Sequence, residues 1–519
     1  MAEATVRVLD RYAAVGDVVR DIEQRSETDV DGALKLGFDF VQDVFLDQRA
    51  IAKVFASEPL DRAVSHIGAR VLAQMQAPVS GPSSGATVFL ASELYATGGH
   101  TAVIEDILRT KAFEGPTTIL LTDVFARADV EAIEARFAPF GLEVECAPEG
   151  NLESRLKWTL SRLVALKPNA LLLFQHHQDS VAVAAAQPGI AARTMLYHHA
   201  DHHLCLGVTL PHLEHVDLSP MAYHHCRDEV GLSRNMYWPL ACEDFGAPAV
   251  HEGSIGTGGA LRTCSTGTRN KFELAYQYDY ADIVPRILAA TGGSHVHIGM
   301  LSEATLERIY SRMAECGIAA DRLIYREWVP SVWRALQEHA VDVYLVSFPI
   351  GGGRAAIEAM GSGTPVVAHQ SYLSRFHGTA DLLYPSAFVW RTPDQLFDHL
   401  AGLTAEAVRE ESVLARGHYL QAHTYDALRA AILAGEAAPP APPLRPYRAD
   451  PLQSFIDDIQ FANQRVAGLR QTIERLEAEQ QSLKKMLDDI YRSRTWNLAL
   501  RLQRLVSFLR GGRGPASVR

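Results

Sequence analysis

The segment FPIGGGRAAIEAMGSGTPVVAHQ (348–370) sets three glycines, Gly351, Gly352 and Gly353, between an apolar run ending at Phe348 and a helical pattern opening near Arg354. Glycines let a backbone approach a phosphate, and a helix N-terminus offers unpaired N–H groups and a positive dipole. Arg354 adds a fixed positive charge, and Glu358 falls one helical turn later on the same face. A carboxylate there suits the two hydroxyls of a ribose. Taken alone, the segment also fits a strand-to-helix turn whose glycines serve close packing. A second concentration is of imidazoles. Ten of the 21 histidines lie between His176 and His225, densest in YHHADHHLCLG (197–207). This run follows a predicted strand, and strand carboxyl ends face the ligand crevice of open α/β sheets. An imidazole backed by a carboxylate is a general base near neutral pH, so His199, Asp201 and His202 are the candidates for a base or acceptor-orienting group. TGGHTAVIEDIL (97–108) is a further glycine turn, with His100 at a helix start, where the dipole favours neutral imidazole. A base, a hydrogen-bonding partner of substrate and a capping histidine all fit that position.

These residues need a scaffold, and the hydropathy pattern predicts one. Residues 1–80 carry apolar positions at helical spacing, as in Phe38, Val41 and Phe45, and read as a helical N-terminal region. Short apolar runs at 86–91, 117–122, 141–146, 170–174 and 194–198 then alternate with amphipathic stretches, and a second series follows at 260–265, 295–299, 322–327, 341–348 and 364–369. Strand–helix alternation predicts parallel sheets covered on both faces. The expected architecture is α/β, with Rossmann-like domains over 81–240 and 241–435 that enclose a cleft between them. Residues 436–450 form a proline-rich linker, 451–492 a coiled coil and 493–519 a basic amphipathic tail. In the coil Leu452, Phe455, Ile459, Ala462, Val466, Leu469, Ile473, Leu476, Gln480, Leu483, Leu487 and Ile490 alternate spacings of three and four, with Gln480 the polar break. That seam predicts a homo-oligomer through residues 452–490.

Composition narrows the class. A formal net charge of -12 argues against nucleic acid as the main partner. The six cysteines form no C-x-x-C pair, no signal peptide is recognisable and no apolar run is long enough to span a bilayer, so the expectation is a cytoplasmic protein with reduced thiols.

The stretch RLIYREWVPSVWRALQEHAVDVYLVSFPIGGGRAAIEAMGSGTPVVA resembles the donor-binding half of GT-B glycosyltransferases, most closely the O-GlcNAc-transferase-like group and its bacterial relatives. Asp342, Gly351 to Gly353, Glu358, Gly363, Thr364 and Pro365 match in order. The resemblance implies that Glu358 holds the nucleotide ribose and that the 351–356 turn holds the diphosphate. The family often has hydroxyl residues in this turn, where this chain has Arg354-Ala355-Ala356, so Arg354 substitutes charge for hydroxyls. CSTGTRNKFE (264–273) is similar to the family segment that brings a lysine to the donor phosphates, which implies that role for Lys271, with Arg269 the adjacent candidate. A preplaced ammonium stabilises charge developing on a leaving nucleoside diphosphate. GT-B enzymes place a loop like that of His100 near the transferred sugar. The resemblance covers about residues 85–435. It implies a nucleotide-diphosphate sugar as donor substrate, with no metal and no bound cofactor.

The histidine run carries a competing likeness. His199-x-Asp201-His202 matches part of the H-x-H-x-D-H metal motif of the metallo-β-lactamase fold, with Tyr197 where the first histidine belongs. Asp201-His202-His203 spells the DHH phosphoesterase tripeptide without a companion aspartate motif. In the tail, arginines at 492, 494, 501, 504, 510, 513 and 519 interleave with Trp496 and leucines, and no acid interrupts them. Such a helix suits an anionic membrane surface. Its S-R-T-W-x-L resembles a short C-terminal motif of bacterial surface-polysaccharide glycosyltransferases. The reading is a glycosyltransferase of surface polysaccharide (O-antigen-like) biosynthesis, peripheral on the inner face of the cell membrane, acting on a glycan or lipid-linked acceptor. The alternatives are a protein O- or N-glycosyltransferase, a non-catalytic coiled-coil scaffold and a His/Asp metal-dependent hydrolase.

Overall fold

Leu34, Leu36, Phe40, Val41 and Val44 recur at helical spacing and are buried along the helix Val30–Phe45, which Asp29 opens by accepting a hydrogen bond from the Gly32 N–H at 2.8 Å. With the helices Val15–Ser26 and Glu58–Gln74 it forms the N-terminal layer of a computed structural model that describes residues 7–76, 83–95, 99–199, 202–248, 253–255 and 259–509. The chain divides into two compact units, Met1–Pro451 and Leu452–Arg519.

The first unit contains two sheets. The first is built from β1 (Thr87–Ala91), β2 (Thr117–Leu121), β3 (Glu143–Cys146), β4 (Ala170–Phe174), β5 (Arg193–His198), β6 (Glu214–Asp217) and β7 (Asn235–Tyr237), in the spatial order β3-β2-β1-β4-β5-β6-β7. The second comprises β8 (Thr263–Thr266), β9 (His295–Ile298), β10 (Leu323–Arg326), β11 (Val343–Leu345), β12 (Val366–His369) and β13 (Val389–Trp390), in the order β10-β9-β8-β11-β12-β13. All pairings are parallel. Both orders run outward from the first strand and then reverse, the doubly wound pattern that leaves a crevice at the switch point.

Alternation along the strands assigns the faces. Val88, Leu90, Leu171, Leu173 and Leu196 pack with the N-terminal helices, whereas Phe89, Ala91, Leu172, Phe174, Met195 and Tyr197 belong to a core that continues into the second sheet. Asp61 pins the N-terminal layer by accepting from the N–H groups of Gly207 (2.7 Å) and Thr209 (2.8 Å). The helix Tyr425–Ala434 returns to the first half, where the Tyr425 hydroxyl donates to Asp106 at 3.0 Å and Arg429 donates to the Thr110 carbonyl at 3.0 Å.

Ten of the expected strand runs form β1–β5 and β8–β12. Sequence patterning missed β6, β7 and β13. The first reads Glu-His-Val-Asp and is fully buried, because its polar side chains find partners: Glu214 pairs with Arg193 (2.6 Å) and Arg234 (2.9 Å), and His215 with Asp217 (3.2 Å). β7 and β13 are three and two residues long, too short to show a period. The proline-rich stretch is fastened to the body. The Arg445 N–H donates to Asp381 at 2.8 Å, and His224 Nε2 meets the Pro442 carbonyl at 2.9 Å.

The second unit holds a 42-residue helix, Pro451–Arg492, and the helix Arg494–Leu509, separated at Ser493. Leu452, Phe455, Leu469, Ile473, Leu476 and Leu483 are each more than half exposed on the long helix of the single chain. A seam of that kind favours burial against copies of itself. Light scattering is expected to give an oligomer for the full chain and a monomer for a chain ending at Asp450. Equal, monomeric masses would refute the heptad reading.

Candidate active site

Lys271, Arg354, Glu358, His100, His199 and His202, all singled out by sequence, line two adjoining cavities beyond the carboxyl ends of the parallel strands. After β11 the chain turns through Gly351 and Gly352 into the helix Gly353–Gly361, whose first N–H groups have no intrahelical acceptor. A Cβ on Gly351 would lie 2.0 Å from Thr379 Oγ1 and 3.1 Å from the Gly378 backbone, so only glycine fits between the two loops. After β8 the short helix Arg269–Phe272 carries Lys271 to the same turn, where its Nζ donates to the Gly351 carbonyl at 3.0 Å. Burial lowers the Lys271 pKa to about 8. Among the described residues no carboxylate forms a salt bridge with Lys271, which leaves an ammonium beside a glycine turn and a helix N-terminus. Arg269 is not brought to this place. Its side chain is exposed and lines neither of the two cavities described next.

One cavity of about 360 Å³ is bounded by Trp328 and Val329, by Arg354 and Glu358, and by Asp106 and Arg109 from the first half. Glu358 Oε2 accepts from the Trp333 N–H at 3.1 Å, and Oε1 lies 3.7 Å from Arg354 Nε. The helix-face pairing of Arg354 with Glu358 is therefore present, but the main partner of Arg354 lies elsewhere. Its guanidinium clasps Asp106 and donates to the Ala241 carbonyl at 3.2 Å. Burial opposes the arginine charge, and Asp106 more than compensates, so its pKa is raised. Arg354 thus joins the two halves of the cleft, and its charge is already matched. Asp106 gave no sequence signal, because it sits inside an ordinary amphipathic helix, Gly99–Thr110.

The second cavity, about 280 Å³, meets the first at Gly99 and Arg354. His100, His199 and His202 line it together with Lys271, Gly351, Gly353 and Thr379. The His100 and His199 rings stack at 4.0 Å with an 18° interplanar angle. Burial pushes the His100 pKa down to about 3 and that of His199 well below its usual value. Both are neutral at pH 7, as expected for His100, although enclosure outweighs any helix dipole as the cause. A stacked neutral pair suits hydrogen bonding to hydroxyls better than proton abstraction. His202 is the remaining imidazole on the cavity wall. Asp201, its expected partner, lies outside the described residues.

The site is therefore an interdomain cleft with a cation and a helix N-terminus on one wall and imidazoles on the other. No family model matches the chain, and no curated protein matches it. Solved structures do. HepE of Anabaena in complex with UDP is 13% identical over 66% of this chain and 97% of that one, with a TM-score of 0.51. A glycosyltransferase of Rickettsia africae is 9% identical over 66% of this chain and 96% of its own, with a TM-score of 0.50. An O-GlcNAc transferase mutant of Thermobaculum terrenum is 14% identical over 79% and 82%, with a TM-score of 0.48. At these identities the likeness is one of fold, and the fold is GT-B. The paired Rossmann-like domains read from the sequence are those of this class.

Proposed function

We propose that this chain is a glycosyltransferase that moves a sugar from a nucleotide-diphosphate donor to a glycan or lipid-linked acceptor in surface polysaccharide assembly. The observation that carries the reading is the placement of Lys271 against the Gly351–Gly353 turn, facing His199 and His202 across one cavity. The donor diphosphate lies between Lys271 and the N-terminus of helix Gly353–Gly361. Its ribose lies at Glu358 and its base against Trp328 and Val329. The sugar then reaches the second cavity, where neutral His100 and His199 hydrogen-bond its hydroxyls or those of the acceptor. His202 takes the proton from the acceptor hydroxyl. The bond from the anomeric carbon to the acceptor oxygen forms as the bond to the phosphate oxygen breaks, and the nucleoside diphosphate leaves with its charge held by Lys271 and the helix dipole. The cleft chemistry needs no metal in this scheme, since these groups supply the positive potential. HepE, with UDP in its structure, supports a uridine nucleotide as the first donor to try.

The test is a panel of nucleotide sugars with glycan, lipid-linked and peptide acceptors, scored by release of nucleoside diphosphate. Release dependent on a glycan or lipid-linked acceptor supports the proposal. Release dependent on peptide moves the assignment to protein glycosylation. Failure of every donor to bind favours the scaffold reading, and metal-dependent phosphoester hydrolysis favours the hydrolase.

The tail belongs to the same proposal. Among the described residues no helix is long and apolar enough to cross a membrane. The helix Arg494–Leu509 exposes Trp496, Leu498, Leu502 and Leu505 and carries Arg501 and Arg504. An arginine near an anionic surface contributes about 1 kcal/mol, and several tails on one oligomer add their effects. Deleting residues 493–519 is expected to release the protein from the membrane fraction while transfer to a short soluble acceptor persists. Continued sedimentation with membranes would make the tail a protein-docking element.

A further inference from the structure

Four buried side chains outside the cleft form a cluster that the transfer scheme does not use. His198 ends β5, His215 and Asp217 lie on β6, and Cys226 lies on the helix Pro220–Asp228. The parallel register sets His198 opposite Asp217 and Leu196 opposite His215. Because strand side chains alternate, His198, His215 and Asp217 share one sheet face.

His198 Nδ1 and His215 Nε2 each lie 3.2 Å from Asp217 Oδ1. Cys226 Sγ lies 3.7 Å from His198 Nδ1 and 3.6 Å from Asp217 Oδ1. All four donor atoms fall within 4.8 Å of one another. A zinc ion with ordinary bonds to nitrogen, oxygen and sulfur has tetrahedral ligand-to-ligand edges of about 3.3–3.6 Å. Four of the six donor-to-donor distances, 3.2, 3.2, 3.6 and 3.7 Å, lie close to those edges, and the remaining two are bounded by 4.8 Å.

Charge points the same way. Asp217 and His198 are buried, with side chains 0% and 1% exposed. His198, His215 and Cys226 all meet Asp217 at Oδ1, and its buried Oδ2 has no hydrogen-bond partner. A buried carboxylate with one orphan oxygen is costly unless a cation balances it. One carboxylate, one thiolate and two neutral imidazoles balance a divalent ion of zinc type, and the mixed N, O and S set suits a borderline-soft metal.

We infer that His198, His215, Asp217 and Cys226 form a closed tetrahedral site for a structural zinc ion. Four protein ligands leave no position for substrate, and burial keeps water out, so the ion holds structure rather than activating water. It ties the end of β5, directly before His199, to β6 and to the helix that follows Ser219. His199 and Ser219 both line the second cavity, so the site braces one wall of the cleft. The metal-motif reading of the sequence centred on His199, Asp201 and His202. The four-donor cluster is a different set, one residue away at its nearest point.

The test uses the full chain, expressed with zinc and purified without chelator. The expected result is one zinc per chain by elemental mass spectrometry. Protein produced on cobalt(II) is expected to show the visible bands of a tetrahedral site with a thiolate charge-transfer band. Cys226→Ser should abolish the charge-transfer band, and Asp217→Asn should lower metal content. Should either variant fail to fold, the wild-type zinc content and cobalt spectrum carry the test. Zinc at background in the wild type, a cobalt spectrum without thiolate character, or unchanged metal content and spectrum in folded variants would overturn the inference.

Discussion

Lys271→Ala is expected to lower kcat/KM for sugar transfer by about 100- to 1,000-fold, the loss seen when a preplaced group is removed from developing negative charge. The reason is local. Lys271 has one backbone acceptor at 3.0 Å, its pKa is lowered to about 8 by burial, and it stands beside a glycine turn opening a helix. At pH 7 it remains charged, and a bound diphosphate raises its pKa again, so the substrate supplies the counter-ion that the protein withholds. Removing the side chain leaves only one carbonyl without its donor, so circular dichroism and thermal unfolding should stay close to wild type. Lys271→Arg, which keeps charge with different geometry, should recover part of the rate. A Lys271→Ala enzyme within about threefold of wild type would remove the diphosphate assignment.

A second large effect is expected from acid. Burial lowers the pKa values of His100, His295, His369 and His377 to about 3 and of His297 and His423 to about 4. Tyr280 links two of them, its hydroxyl lying 2.9 Å from His295 Nε2 and 2.7 Å from His297 Nδ1. In the unfolded chain each titrates near 6.5. Between pH 6.5 and 4 the unfolded state therefore binds more protons than the folded one, and stability falls as pH falls through that window. Asp61 and Asp342, whose pKa values burial raises to about 6, act in the opposite direction between pH 6 and 4. Burial raises Asp106 and Asp179 as well, so four carboxylates stand against these six imidazoles and against His176 and His203, which burial also lowers. Each pKa unit is worth about 1.4 kcal/mol, so even partial shifts at six sites approach the whole stability of a typical domain, roughly 5–15 kcal/mol. Melting temperature should be nearly flat from pH 8 to 7 and fall steeply below 6.5. A Tm that holds to pH 5 would show that these imidazoles are hydrated or protonated in the folded chain.

Much of this was legible in the sequence, for identifiable reasons. β1, β2, β4, β5, β11 and β12 read as apolar runs because these strands are buried on both faces. The glycine turn, Lys271, His100, His199 and His202 each follow a strand or open a helix, Glu358 lies one turn into the helix Gly353–Gly361, and the fold carries that local pattern to one cleft. What stayed hidden depends on contacts across the chain. Glu-His-Val-Asp does not read as a core strand until Arg193 and Arg234 are seen to pair with Glu214. Arg354 reads as a phosphate ligand until Asp106, 248 residues away in sequence, is found against it. Trp328 and Val329 sit in an unremarkable loop. His198, His215, Asp217 and Cys226 are spread over three elements, and the β5–β6 register and the packing of the helix Pro220–Asp228 bring them together.

Nucleotide-sugar binding at Lys271 and Glu358 is tested most directly by thermal unfolding of wild-type, Lys271→Ala and Glu358→Ala proteins with nucleotide-diphosphate sugars. A ligand at 100 times its Kd stabilises the folded state by about 2.7 kcal/mol. The predicted result is a clear rise in wild-type Tm with one nucleotide class, and little or no rise in either variant at the same concentration. No rise with any nucleotide sugar, or equal rises in all three proteins, would contradict it.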